Sequence, residues 1–153
     1  MTNERVIPKN SDQVHHGGCL CGLVRYETRG APLWVAHCHC GSCRRHTGSP
    51  ITTFVGFKRA QVEFESRDRS LYESSPGVRR GFCAHCGTPL SYESDRTGDE
   101  LHLYVCTLDD PESFVPTAHV FHAERVPWLE IHDALPRFGG NGSGEINSWG
   151  PLK

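Results

Sequence analysis

The segment AHCHCGSCRRHTG, residues 36–48, concentrates side chains that bind metals or act as nucleophiles. It holds three cysteines, three histidines and two arginines within thirteen residues. Two further short loops, CLCG from residue 19 and CAHCG from residue 83, carry cysteine pairs of the same kind. A glycine follows closely in each loop, and glycine lets the backbone curl so that its amides face the sulfurs. These loops have the build of zinc knuckles, in which thiolates from separate loops surround one ion.

The number of cysteines predicts two different sites. Seven of the eight cysteines lie in the three loops. A closed structural zinc takes four ligands, so seven cysteines divide into four and three. Residues 38, 40 and 43 form a local triple, which leaves the two pairs in the other loops to share one site: Cys19, Cys21, Cys83 and Cys86. We expect this four-cysteine site to be structural, with zinc binding adding to the folding free energy.

The triple of Cys38, Cys40 and Cys43 is expected to hold a reactive zinc, because three protein ligands and an open fourth position are typical of such sites. The alternative is a fourth protein ligand, which would make a second structural site. The candidates for it are His37, His39, His46, His85 and Cys106. If the first two cysteines lie on a strand, the neighbouring residues 37 and 39 point to its other face, which counts against those histidines. Cys106 lies in an apolar run and is expected to be a small buried residue.

Charge indicates what an open site would accept. Zinc with three thiolates is already a net anion, so it suits a soft thiol better than hydroxide. A further thiolate adds negative charge that nearby cations must offset. Arg44 and Arg45 follow the triple directly, and Arg79 and Arg80 precede the third loop. We take Arg44 as the candidate functional cation beside a catalytic cysteine triple, and expect at least two of the four arginines to be solvated surface charges.

Length, charge and composition exclude several classes of protein. The chain has 153 residues, enough for one domain with its own core. A net charge of −2 gives no electrostatic footprint for nucleic acid or an acidic membrane surface. No apolar run approaches the roughly 18 residues of a spanning helix. The start is polar and carries no secretory signal, so we expect a cytoplasmic protein. In that reducing compartment, clustered cysteines indicate metal ligands rather than disulfides. No oligomeric state is predicted.

The elements that must position these loops are predicted to be short strands. Glycine, proline and polar clusters punctuate the sequence, and the runs between them are rich in β-branched and aromatic residues. Strands are predicted to begin near residues 23, 33, 51, 61, 70, 77, 90, 100 and 118. The run ELHLYVCTL alternates most cleanly and is expected to be a central strand. Short helical turns are expected at GSCRRHTG and at DDPES.

Most other notable side chains are expected to be structural. The aromatic residues predicted to pack in the core are Trp34, Phe54, Phe57, Phe64 and Trp128, the last with a substrate-pocket wall as the alternative. His119 and His122 are three apart on a predicted strand and should therefore face opposite sides. Thr47 and Ser49 are expected to cap a loop. We expect residues 1–13 to be a polar segment, 14–138 a single zinc-binding domain, and 139–153 a glycine-rich tail.

Four stretches together resemble the glutathione-dependent formaldehyde-activating enzyme family, whose domain is shared with centromere protein V. They are HHGGCLCGLVRYETRG, AHCHCGSCRRHTGSP, RRGFCAHCGTPLSY and HVFHAERVPWLEIHDALPRF, in order from His15 to Phe138. The resemblance implies a mainly β fold, a β-tent of small antiparallel sheets around zinc with few short helices. It also implies the same division of ligands into a four-cysteine structural zinc and a three-cysteine second zinc.

The resemblance further implies a carbon–sulfur lyase that adds glutathione to formaldehyde and yields S-hydroxymethylglutathione. The expected partner is therefore a small thiol, glutathione, with no nucleic acid or membrane. The alternative is a zinc-stabilised binding module without catalytic activity, as the centromere relative suggests. Such a module is expected to carry a basic extension, which this slightly acidic chain does not show. A thiol-redox role for Cys83 and Cys86 is less favoured, because their CxxC has no βαβ setting.

Overall fold

The computed structural model describes residues 12–65 and 67–141, and it is mainly β. Its strands are β1 Val14–Gly18, β2 Arg25–Arg29, β3 Trp34–Cys38, β4 Thr52–Lys58, β5 Val62–Phe64, β6 Arg69–Ser75, β7 Val78–Cys83, β8 Pro89–Ser94, β9 Glu100–Tyr104 and β10 His119–Val120. The helix α1 spans Gly41–Thr47. Short 3-10 helices cover Arg59–Gln61, Asp95–Thr97, Val105–Thr107, Pro111–Ser113 and His122–Glu124. The predicted fold class is confirmed. Most of the expected polar start (1–11) and of the expected glycine-rich tail (142–153) lies outside the described residues.

The strands form two sheets. A three-stranded sheet has the order β1-β2-β5, and a seven-stranded sheet has the order β10-β3-β4-β9-β8-β7-β6. All pairings are antiparallel except β10 with β3, which is parallel. β9 occupies the middle of the larger sheet, so the prediction of a central strand at ELHLYVCTL is confirmed. Short connections, which suffice for antiparallel neighbours and not for parallel crossovers, join β1 to β2 and the run from β6 to β9. The connection from β3 to β4 contains α1, and the antiparallel pairs β2–β5 and β4–β9 join strands that are distant in the chain.

Side-chain alternation divides the larger sheet into two faces with separate cores. Val55 lies opposite Leu103 across β4 and β9, and both pack with the buried residues of the three-stranded sheet, such as Tyr26. The next pair, Phe54 opposite Tyr104, therefore points to the other face, where it packs with the cysteine triple. One face thus holds the two sheets together, and the other forms a second, aromatic core beneath α1.

β1 was not among the predicted strands, because VHHGG contains only one large apolar residue. Its glycines have a steric reason: a Cβ on Gly17 would lie 2.4 Å from the ring of Tyr26. Tyr26 is fully buried and its hydroxyl lies 2.7 Å from Thr107 Oγ1. Glycine is therefore needed at residue 17 because the backbone lies close to the ring of Tyr26, and not because of its strand propensity.

Three predicted placements are wrong. β9 ends at Tyr104, and the 3-10 turn that follows leaves Cys106 exposed rather than buried. β10 is only two residues long, and Phe121 has φ of 51°, so the chain turns sharply before His122. His119 and His122 are consequently both buried on the same side. Trp128 is 72% exposed rather than packed.

Candidate metal centres

The first cysteine cluster joins the two sheets. Cys19 and Cys21 follow β1, while Cys83 ends β7 and Cys86 lies in the turn after it. The four sulfurs all lie within 4.8 Å of one another, with 3.5 Å between the first two. Cys19 and Cys83 are buried, whereas Cys21 is exposed. Four cysteines converging from two distant loops form a closed set of donors for one metal ion.

The two loops of this cluster have matching backbone structure. In each loop the first cysteine donates its amide to a carbonyl five residues on: Cys19 to Val24 and Cys83 to Thr88. A glycine with φ near 80° closes each loop by donating back to the carbonyl of that first cysteine, Gly22 in one and Gly87 in the other. The turns need positive φ, which glycine adopts at little cost. This curl directs backbone amides at sulfur, as when Val24 N donates to Cys19 Sγ at 3.2 Å.

Thr88 ties the two loops together at the rim of the four-cysteine cluster. Its hydroxyl oxygen accepts from the amide of Leu20 and lies 3.1 Å from Cys86 Sγ. The hydrogen bond from the Thr88 hydroxyl lowers the pKa of Cys86 to about 5. A thiolate is therefore favoured at this position near neutral pH, and thiolate is the form that binds a metal ion.

The second cluster lies on the opposite face of the seven-stranded sheet. Cys38 ends β3, Cys40 is the N-cap of α1, and Cys43 is in the first turn of that helix. Their sulfurs also lie within 4.8 Å of one another. Cys40 Sγ accepts the amide of Cys43 at 3.2 Å, which caps the helix and fixes the loop. Among the described residues, this group of mutually close donor atoms contains three cysteines only.

Crowding of these thiols makes the cluster fit a cation. Contact with the other two thiols raises the pKa of Cys38 and lowers that of Cys40, with the Cys38–Cys40 contact the largest cause in both cases. One thiolate is thus favoured, while ionising all three would place mutually repelling charges in a buried site. A bound metal ion removes that conflict, because a coordinating thiol is deprotonated outright.

The cation in contact with the triple is Arg80. It is 5% exposed, and its guanidinium donates to Cys43 Sγ at 3.6 Å and to Ser74 Oγ at 3.1 Å. Arg44, the sequence candidate, instead donates to the carbonyls of His39 and Glu124. Sequence reasoning ranked Arg44 first because it is adjacent in the chain. Strand alternation was the signal that favoured Arg80, since it lies opposite Tyr92 on the face that carries the triple.

Four of the five candidate fourth ligands are engaged or placed elsewhere, and the fifth, His46, lies outside the group of mutually close donor atoms. His37 lies 2.8 Å from Thr53 Oγ1, and His39 lies 2.8 Å from His119 Nδ1. His85 is exposed in the loop of the other cluster, and Cys106 is exposed after β9. His46 is in α1 beside the ring of Tyr104, with centroids 6.3 Å apart. The two histidines flanking Cys38 therefore form their contacts away from the triple, as strand geometry predicted.

A buried histidine cluster supports the triple from that other side. His39 Nε2 lies 2.8 Å from His119 Nδ1, and His119 Nε2 lies 2.9 Å from a carboxylate oxygen of Asp133. In the neutral tautomer that donates Nε2–H to Asp133, His119 accepts at Nδ1 from His39 Nε2–H. Burial lowers the pKa of His39 to about 3, which keeps it neutral. His122 packs edge-on against His39 at 4.9 Å. The sequence did not predict this cluster, because His119 and His122 were expected to face opposite sides of a strand.

Comparison with known proteins agrees with this arrangement. The family model described as "Glutathione-dependent formaldehyde-activating enzyme" matches residues 14–124. The chain therefore belongs to that family, and the resemblance seen in the sequence is confirmed. A crystal structure of a Rhodobacter sphaeroides protein shares the fold, with a TM-score of 0.53 and 22% identity over 61% of this chain and 87% of that one. No protein among those with curated descriptions matches. No helix of the described residues is long and apolar enough to cross a membrane.

Proposed function

We propose that the protein binds two zinc ions and catalyses carbon–sulfur bond formation between a small thiol, glutathione, and formaldehyde or a related aldehyde. The observation that carries the proposal is the difference between the two clusters. One has four cysteines, a closed set of donors between the sheets, and the other has three, with a buried arginine in contact. Sulfur donors in these numbers suit zinc, structural in the first case and reactive in the second.

The zinc at the triple would supply the positive charge that keeps an incoming thiol ionised at neutral pH beside the aldehyde. Cys38, Cys40 and Cys43 are proposed to hold it. Arg80 offsets the negative charge that a fourth thiolate adds, and its burial makes that charge more effective than in water. Arg44 is proposed to act indirectly: it fixes the position of α1 by donating hydrogen bonds to the carbonyls of His39 and Glu124.

The chemistry is an addition. A sulfur lone pair of the thiolate forms the S–C bond, the π pair of the carbonyl moves to oxygen, and that oxygen takes up one proton. Glutathione and formaldehyde thus give S-hydroxymethylglutathione with no oxidant or reductant. The side chains on this face, Phe54 and Tyr104 among them, are largely buried and would exclude water from the reacting atoms. None of the cysteines in the described residues forms a disulfide, which suits the reducing conditions of the proposed cytoplasmic location.

The test must separate catalysis from the uncatalysed reaction, because thiols add to formaldehyde without help. Exchange between free formaldehyde and the glutathione adduct is measured by NMR at equilibrium, with zinc-loaded protein, with Cys40→Ser protein and without protein. We expect the exchange rate to rise in proportion to the concentration of the wild-type protein. The Cys40→Ser protein should not raise the rate above that of the protein-free reaction. Glutathione binding by calorimetry without any increase in exchange would refute catalysis and favour the binding module.

A further inference from the structure

The second face of the larger sheet contains buried polar atoms without hydrogen-bond partners. Six such side-chain atoms occur among the described residues, and three lie around the cysteine triple: Thr52 Oγ1, Tyr104 Oη and His46 Nε2. Thr52 is opposite Cys38 in the register of β3 and β4, so both side chains share a face. His46 is one helical turn after Cys43 in α1. Half of the six therefore lie together on one face, although buried polar groups as a rule have hydrogen-bond partners.

Tyr104 is the most informative of the three. It is 6% exposed and packs with Phe54, ring centroids 4.5 Å apart, in the cluster that contains Cys38 and Cys43. Leaving a buried hydroxyl unpaired destabilises a protein, and phenylalanine would fill the same space without that cost. The hydroxyl is thus not explained by packing. The guanidinium of Arg80 interacts with this hydroxyl, but an arginine can only donate, so the hydroxyl hydrogen has no acceptor among the described residues and is free to donate to a ligand.

We propose that the Tyr104 hydroxyl is a catalytic donor to the carbonyl oxygen of the aldehyde in the reaction proposed above. As the S–C bond forms, that oxygen gains the π pair and becomes negative before it is protonated. A neutral O–H donor and the charge of Arg80 lie on the face where this occurs, and fixed donors of this kind favour the developing oxyanion over the neutral carbonyl. Tyr104 donates a hydrogen bond and keeps its own proton. The proposal rests on the proposed function.

The neighbouring unpartnered atoms add two further polar groups to this face. His46 lies beside Tyr104, and burial followed by the charge of Arg80 lowers its pKa, so it is neutral. Thr52 adds a hydroxyl on the side of Cys38. A small carbonyl compound, with one oxygen that accepts hydrogen bonds and little apolar surface, is the class of electrophile that suits these polar groups.

The experiment compares Tyr104→Phe with a matched control, Tyr26→Phe. Both tyrosines are buried in the sheets, but the hydroxyl of Tyr26 lies 2.7 Å from Thr107 Oγ1 and belongs to the other core. We expect Tyr104→Phe to have a melting temperature equal to or above that of the wild type, with unchanged zinc content and glutathione affinity. Its enhancement of adduct exchange should fall by about a hundredfold to a thousandfold, the effect of losing one oxyanion donor. Tyr26→Phe should show the reverse, a lower melting temperature with full activity.

Three outcomes count against the assignment in different ways. Wild-type exchange no faster than the protein-free reaction would overturn the proposed function and this proposal together. An active wild type with an equally active Tyr104→Phe would overturn this proposal alone. A fall in melting temperature like that of Tyr26→Phe would show that the hydroxyl is satisfied structurally, and would also overturn it.

Discussion

Replacement of Arg80 by methionine tests whether a buried cation stabilises the three-cysteine site. Methionine retains much of the apolar stem and removes the charge. The guanidinium contacts Cys43 Sγ at 3.6 Å and is 5% exposed. Without metal the triple favours one thiolate, and the raised pKa of Cys43 keeps that residue a thiol, whereas in the metal-bound triple Cys43 is a thiolate. The arginine that contacts Cys43 Sγ therefore favours the bound state. We therefore expect Arg80→Met to weaken zinc binding at this site and to weaken thiol binding further, since a fourth thiolate adds charge.

The magnitude follows from the geometry. Two unit charges at about 4 Å interact by about 4 kcal/mol at an effective dielectric constant of about 20. Hydrogen bonds to charged groups contribute about 1.5–3 kcal/mol in mutational series. A loss of about 2 kcal/mol corresponds to about a 30-fold weaker affinity. The fold itself should lose little, because Ser74 is exposed and the desolvation of the arginine is relieved.

The assay is zinc competition with a chromogenic chelator, which resolves a weak site and a tight site in one titration. Arg79→Met is the control, since Arg79 is on the same strand but pairs with Asp95 and Glu93 on the other face. Arg80→Lys should recover part of the affinity. If Arg80→Met retains zinc at the triple as the wild type does, or weakens both sites equally, the reasoning about the cation fails.

Two further predictions concern metal and pH. Cys40→Ser should lose one zinc and keep the fold, whereas Cys86→Ser should aggregate or unfold, as measured by elemental analysis and circular dichroism; equal damage would mean that the two sites are alike. Burial, then the charge of Arg125, lowers the pKa of His122 to about 4, so the unfolded chain binds a proton below about pH 6.5 and the folded chain does not. Stability should therefore fall from pH 6.5 towards pH 4, with this group contributing about 1.4 kcal/mol per pH unit. His122→Gln should reduce the slope of the free energy of unfolding against pH, as measured by urea denaturation. His132→Gln, at a side chain that is 87% exposed, should leave that slope unchanged. Identical slopes for the two variants would refute the assignment. The groups that face His122 are His39, His119, Arg125, Asp133 and Arg137.

The sequence by itself was sufficient to predict the two cysteine clusters and most of the strands. Cysteines separated by one or two residues and followed by glycine predict zinc knuckles, because the geometry of such a ligand pair depends on the local chain only. Nine predicted strands overlap β2 to β10, since alternation and β-branched content are also local signals. The helix at GSCRRHTG follows in the same way, with Cys40 as N-cap and Gly48 in the left-handed conformation at its end. These features depend on neighbours within a few residues.

The environment of the triple was decided only by the tertiary structure. Arg44 is adjacent in sequence, but strand register brings Arg80 and Tyr104 to the same face from β7 and β9. A single residue with positive φ, Phe121, reverses the chain and buries His122 with His39 and His119, which no periodicity could indicate. Pairing between distant strands and one unusual dihedral angle depend on the whole packed chain. Local composition therefore determined which cysteines form the two clusters that could hold a metal, and long-range packing determined what surrounds them.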